Sequence, residues 1–182
     1  MEIQQAIEIR RSIRAYGDRP VEREKLEAVL RAGNQAPIFG RLHRSGVAGP
    51  EQLQAVDAAA VAGMARSGVP FLENLAAQEG YHPLYGAAAL VVLSAPGGLD
   101  EKGFNMANVS CAAENMLLAA AGLGLGSCFL MGPMAAFSDP ALRARLELPG
   151  GYEPLVGVAL GYAALERPVA PERTDAGITW CR

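Results

Sequence analysis

The sequence predicts an α+β fold in one domain spanning residues 1–182, and three observations carry that expectation. Apolar residues recur at helical spacing in several stretches, beginning with residues 1–14 and 21–32. Residues 87–95 form an unbroken apolar run containing Leu90-Val91-Val92-Leu93 and stopped by Pro96-Gly97-Gly98, which suits a strand buried on both faces. Residues 105–123 are apolar almost all the way round the helical wheel, and such a helix belongs in the middle of a protein. A chain of this length buries one full core and is short for two ordinary domains.

Taken in order, Ile3, Ala6, Ile7 and Ile13 fall within one arc of a 3.6-residue period, so a helix is expected from residue 1 to about 14. A second helix follows Pro20 over residues 21–32, with Leu26, Val29 and Leu30 buried and Gly33 placed to close it in the left-handed conformation. Residues 34–50, with prolines and glycines, read as mostly loop with one short strand. An alanine-rich helix is expected over 53–64 and a shorter one over 71–78. After the strand at 87–95 and the helix at 105–123, Gly122, Gly124 and Gly126 lead into a short strand over 127–131. Ser138 and Pro140 introduce a helix through Leu146, and the last strand is 155–162. The tail is rich in proline and charge until an apolar, β-prone patch returns at Ile178-Thr179-Trp180.

Composition narrows the function. With 51% apolar residues, 16 basic against 19 acidic side chains and a net charge of -3, the chain carries no electrostatic footprint for nucleic acid or anionic lipid. The longest apolar runs fall short of the roughly 18 residues of a membrane helix. No secretory leader is recognisable, so a cytoplasmic protein is expected. Cys111, Cys128 and Cys181 are odd in number and widely spaced, which argues against a disulfide framework. With only His43 and His82 beside them, no metal site is expected. A small-molecule partner is left by elimination.

The candidate chemistry begins with Arg10-Arg11-Ser12-Ile13-Arg14. If the first helix continues, Arg10 and Arg14 share the arc of the isoleucines and point charge inward. A guanidinium directed at a core is costly unless an anion meets it, and its planar donor fork suits phosphate. The alternative is that the helix ends near Arg10 and the arginines are solvated while favouring its negative terminus. Gly122-Leu-Gly-Leu-Gly-Ser127 resembles a dinucleotide-binding glycine loop only superficially, because there the glycines follow a strand and open a helix. Here a helix stop with close packing is the better account. Gly132-Pro133, at the end of a strand, can present backbone amides to a ligand. Cys128 reads as a buried, inert thiol. Glu114 and Asn115 are either buried anchors or the exposed edge of their helix. His43 and His82 fit surface positions, and Trp180 fits packing, a dimer contact or a flavin neighbour.

Several of these segments together resemble the nitroreductase family of FMN-dependent flavoproteins. Arg10-Arg11-Ser12-Ile13-Arg14-Ala15-Tyr16 is similar to its opening motif, residues 26–37 to its helix ending in Ala-Pro, and Tyr85-Gly86-Ala87 to another landmark. The most specific piece runs from Glu114-Asn115-Met116 through Gly122-Leu-Gly-Leu-Gly-Ser-Cys128, and Ala159-Leu160-Gly161-Tyr162 with Ile178-Thr179-Trp180 completes it. The resemblance covers nearly the whole chain, with residues 41–78 poorly matched. It implies a three-layer α-β-α fold with a central, mainly antiparallel sheet. It also implies an intertwined homodimer with the long apolar helix at its interface and the tail from about 163 to 182 reaching the partner.

The resemblance further implies that Arg10, Arg11 and Ser12 hold the FMN phosphate and ribityl chain. Arg14 would sit near the pyrimidine edge and stabilise the reduced ring, and Arg173, five residues before Ile178, would be a second phosphate contact. Leu130, Met131 and Gly132 would lie against the ring, with a backbone N–H of Met131 or Gly132 aimed at N5. Pro37, Ile38 and Phe39 would meet the flavin of the partner subunit. Where the family often shows small residues, then Asn, Gln, Pro and Trp, this chain has Ile38-Phe39-Gly40-Arg41-Leu42-His43-Arg44-Ser45. Polar loop contacts are thereby lost, Ile38 and Phe39 narrow the substrate side, and Arg41 becomes available to an anionic acceptor or to a nicotinamide phosphate.

The expected activity is ping-pong transfer of electrons from NAD(P)H through FMN to a small acceptor such as a nitroaromatic or quinone. The cofactor performs the difficult step, which accounts for the lack of an acid-base dyad. Competing expectations are reductive dehalogenation or flavin breakdown on the same scaffold, a flavin storage or sensor module without NAD(P)H turnover, and an interaction protein without cofactor.

Overall fold

Helices and strands alternate irregularly along the computed structural model, which describes residues 2–97, 103–172 and 177–181. The helices are α1 (Ile3–Ile9), α2 (Arg23–Asn34), α3 (Pro50–Met64), α4 (Pro70–Ala76), α5 (Phe104–Gly122) and α6 (Pro140–Ala144), with a 3-10 helix at Gly132–Ser138. The strands are β1 (His43–Ala48), β2 (Ala89–Pro96), β3 (Gly126–Leu130) and β4 (Tyr152–Gly161). They form one sheet in the order β1-β2-β4-β3 with every neighbour antiparallel.

The two-faced burial expected of β2 follows from its alternation. Leu90 and Val92 point toward Leu53, Val56 and Ala60 of α3, together with Ala136 and Phe137 of the 3-10 helix. Ala89, Val91 and Leu93 point the other way, toward Val29 of α2 and Val109, Ala112 and Met116 of α5. Helices therefore cover both faces, giving the three α-β-α layers. Each fully buried Leu or Val contributes roughly 1.5–3 kcal/mol relative to exposure, so Leu90, Val92, Val109 and Val156, all at 0% exposure, anchor the sandwich.

Three local expectations are corrected. The first helix stops at Ile9, not near Arg14: Arg10 is already extended (φ -60, ψ 129) and caps it through a backbone N–H to Ala6. Ile13 is buried from an extended segment, so its fit to the helical period came from a different conformation. Gly33 lies inside α2 and does not close it; a Cβ there would run into the Met116 side chain, so the glycine serves the close approach of α2 to α5. Ser138 is not the cap of α6. Asp139 is, its carboxylate accepting from the N–H groups of Ala141 and Leu142, while the Ser138 hydroxyl donates to the Ala135 carbonyl at 2.7 Å. At the end of α5 the expected helix stop is present, with Gly124 at φ +76 and the Leu125 N–H reaching back to Ala120.

Candidate functional site

The arginine-bearing segment 10–17 owes its place to two glycines. Gly126 of β3 and Gly161 of β4 are cross-strand partners, and together they leave a trough without side chains. A Cβ on Gly126 would meet Ile13 Cγ1 at 3.0 Å, and one on Gly161 would meet Tyr16 Cδ1 at 2.7 Å. Ile13 and Tyr16 sink into this trough and are buried. The backbone follows: Ser12 forms a parallel bridge to Ser127, the Ile13 N–H donates to the Ser127 carbonyl at 2.9 Å, and the Gly17 N–H donates to Tyr162 at 2.9 Å. The segment thus covers the β3 edge of the sheet, an edge that would otherwise expose unpaired backbone groups.

Its side chains have separate fates. The Arg10 Nε pairs with Glu114 Oε1 on α5 at 3.3 Å, which settles Glu114 as the half-exposed edge of its helix. The Arg11 guanidinium donates to the carbonyls of Glu8 and Arg10 at 2.7 and 2.6 Å, serving the negative end of α1, while its own Nε is buried without a partner. Arg14 is exposed and makes no hydrogen bond or ion pair among the described residues. Beneath them lies Cys128. Burial pushes its thiol upward in pKa, against the opposing pull of Arg14, a hydrogen bond with Ser12, and Arg10. That assigns Cys128 the expected buried thiol and shows Arg10, Ser12 and Arg14 gathered over one point of β3.

Beyond β3, Leu130 is buried in the core while Met131, at 55% exposure, opens the turn into the 3-10 helix. Gly132 there packs against Met64 and Leu72, where a Cβ would come within 3.3 Å of each. Pro37, Ile38 and Phe39 lie outside this cluster, on an exposed loop. Asn108 of α5 holds that loop by accepting from the Phe39 N–H at 2.9 Å and donating to the Phe39 carbonyl at 2.6 Å. The Phe39 ring, 77% exposed, rests 5.7 Å from that of Phe104. One helix therefore supports both parts of the expected site, through Asn108 and Glu114.

On the Arg14 side a cleft of about 1560 Å³ opens between segment 14–18 and α3, with Tyr16, Asp57, Tyr81 and Tyr85 in its wall. Tyr85 adopts a left-handed conformation (φ 56), uncommon for a residue with a side chain, and its ring stands edge-on to Tyr81 at 6.3 Å. Burial, and then contact with Tyr85, raise the Tyr81 pKa. Asp57 fixes the approach to this turn, accepting from the Leu84 N–H at 2.8 Å and contacting His82 Nδ1 at 2.8 Å.

Arg173 lies outside the described residues. Arg167, which carried no signal in the sequence, joins the cluster by donating to the Ile9 carbonyl at 3.3 Å. Asn108 was also missed; a lone asparagine in an apolar helix has no motif, and only its 6% exposure and paired bonds reveal it. Among the described residues no group of three or more His, Cys, Asp or Glu is placed to hold a metal ion, and no helix is long and apolar enough to cross a membrane.

A protein-family model described as the nitroreductase family matches residues 7–162. A relative from Archaeoglobus fulgidus, named "Putative NADH dehydrogenase/NAD(P)H nitroreductase", is 32% identical over 163 residues, covering 87% of this chain and 83% of its own. Among solved structures, a Bacteroides fragilis nitroreductase with bound FMN is 30% identical with a TM-score of 0.84, over 100% of both chains. A Desulfitobacterium hafniense nitroreductase with bound FMN, 24% identical with a TM-score of 0.85 over 100% of both chains, shows the same fold.

Proposed function

Because the chain belongs to the nitroreductase family, we propose that it is an FMN-dependent oxidoreductase that passes electrons from NAD(P)H to a small acceptor such as a nitroaromatic or quinone. The observation that carries this reading is the arginine segment seated on the Gly126–Gly161 trough. A buried donor without an acceptor costs about 1–3 kcal/mol, and more for a charged group, so the orphaned Nε of Arg11 fits an anionic ligand better than an empty surface, and the exposed Arg14 is free to join it. The donor set of Arg10, Arg11, Ser12 and Arg14 suits a phosphorylated flavin.

When bound, FMN would supply the redox chemistry of a ping-pong transfer between nicotinamide and acceptor, and the chain's own residues bind and orient it. Arg10, Arg11 and Ser12 would hold the phosphate and ribityl chain, with Arg167 and Arg173 as further cations. Arg14 provides a fixed positive charge at the ring, favouring its reduced form. Leu130, Met131 and Gly132 form the turn against the ring, with backbone N–H groups as donors. Pro37, Ile38 and Phe39 border the flavin of a partner protomer. A homodimer is supported by exposed apolar side chains on several elements, Ile3 and Ile7 of α1, Phe39, Phe104 of α5 and Trp180 at 84% exposure. The tail from about 163 reaches that partner.

Purified protein should show flavin absorbance, directly or after reconstitution with FMN, and should elute at twice the chain mass. Anaerobic addition of NADH or NADPH should bleach the flavin within seconds. A colourless protein that cannot be reconstituted overturns the proposal, and a flavin that stays oxidised under either nucleotide reduces it to a binding module.

A further inference from the structure

The loop that follows Phe39 runs into β1 and frames a second groove, of about 500 Å³, lined by Ile38, Arg41, His43, Arg44 and Tyr152. Three of these are basic, and no acidic side chain lines the groove. Several other surface arginines find carboxylates, Arg19 with Glu22, Arg23 and Arg31 with Glu27, and Arg143 with Glu153, whereas Arg14, Arg66 and Arg145 do not among the described residues. Arg41 and Arg44 have no ion pair or hydrogen bond among the described residues. The nearby carboxylate of Glu153 is already taken in a two-pronged contact with Arg143, at 2.7 and 2.8 Å. One wall of the groove is held in place, since Asn108 clasps Phe39 by both backbone groups and Tyr152 stands edge-on to His43 at 6.5 Å.

We propose that this groove receives the 2′-phosphate of NADPH, with Arg41 and Arg44 as its ligands, and so sets a preference for NADPH over NADH. The inference rests on the flavoenzyme function proposed above, because it takes the loop 37–39 to border a flavin. Its chemistry is local. Two guanidinium groups that line one groove without a counter-charge offer planar donor forks to a phosphate dianion, which can accept from both. An unphosphorylated ribose carries no such charge.

Isothermal titration of the FMN-loaded protein with adenosine 2′,5′-bisphosphate and with adenosine 5′-monophosphate tests the groove without turnover. The bisphosphate should bind at least about tenfold more tightly, as one charge-assisted contact of roughly 1.4 kcal/mol would give. The R41A/R44A variant should erase that preference and lower kcat/KM for NADPH by roughly tenfold or more while leaving NADH within about twofold. Arg31→Ala, which removes an arginine that has its own carboxylate, should leave the preference intact, and equal melting temperatures should confirm that R41A/R44A is folded. Equal affinity for the two nucleotides in the wild type, or a preference that survives in folded R41A/R44A, overturns the proposal. So does inorganic phosphate competing as well as the bisphosphate, because the nucleotide would then add nothing. A protein that lacks flavin but keeps the bisphosphate preference would sink the flavoenzyme reading and leave the groove's phosphate site standing.

Discussion

The two edges of the sheet carry the same residue type and treat it oppositely. At the β3 edge, arginines arrive on a segment locked into a glycine trough, with Arg10 paired to Glu114, Arg11 donating to the end of α1, and Arg14 without a partner among the described residues. At the β1 edge, Arg41 and Arg44 stand on an exposed loop and a short strand with no partner among the described residues. Position is determined at the first edge by packing beneath the cations; at the second, Arg44 is set by the pairing of β1 with β2, and the loop before it by Asn108. A ligand held at the first edge meets a preformed seat, which suits a resident cofactor. The second suits a group that arrives and leaves.

The same substitution at both edges should expose that difference most strongly. Gly126→Val places its branches against Ile13 and lifts the arginine segment, so it should cost about 1–3 kcal/mol as an overpacked core site and abolish retention of FMN through purification. Gly46→Val on β1 meets nothing within 4 Å, and a branched residue suits a strand. It should leave denaturant midpoint and flavin content unchanged. Equal losses from the two variants would show that the trough has no special role.

Next in size is Asn108→Ala. Losing both bonds to Phe39 should destabilise by about 1–2 kcal/mol, since two backbone groups lose their partner but can recover water on an exposed loop. If the loop only borders a flavin held elsewhere, FMN content should persist while KM for the nicotinamide rises severalfold. A colourless N108A protein with an otherwise native melt would move the primary cofactor contacts to the loop and break the distinction between the edges. Smaller again is Arg14→Met, which should lower the two-electron flavin potential by about 30 mV, near 1.4 kcal/mol. An unchanged potential in a spectroelectrochemical titration would remove Arg14 from the ring.

How far the sequence revealed all this follows the distance over which each interaction acts. The strand β2 and the helix α5 were legible because burial on all sides requires apolar residues in consecutive positions, a pattern contained in one stretch of chain. The arginine motif was legible as chemistry, yet its conformation was not. Ile13 happens to continue the helical period of Ile3, Ala6 and Ile7, and only its N–H bond to Ser127 shows it to be extended. The glycine trough escaped notice for a related reason. Gly126 looked like part of a helix stop, whereas the side chain that needs its missing Cβ belongs to Ile13, more than a hundred residues earlier. Gly33 was misassigned in the same way, its partner being Met116. Asn108 has no local signature at all, because its function is to satisfy the backbone of a distant loop.

The smallest expected effect concerns the latch that follows the trough. Beyond Tyr16, the Gly17 N–H is bound by Tyr162, whose hydroxyl donates to Glu22 at 2.7 Å and accepts from Lys25 at 2.7 Å, while Arg19 reaches Glu22 at 2.6 Å and covers the tyrosine ring. The Tyr162 hydrogen bond first, then a backbone bond and Arg19, hold the Glu22 carboxyl down to about 2. A depressed carboxylate stabilises the fold above its ordinary value near 4.5 and loses that contribution as pH falls toward about 2. Wild type should therefore melt slightly above Glu22→Gln at pH 6, and the gap should close on acidification through that window. The latch is solvent-exposed, so salt should narrow the gap as well. A gap that is constant from pH 6 to 2.5 would mean that the ionised carboxylate does not hold the latch, leaving Ile13 and Tyr16 in their trough as the fastening of the β3 edge.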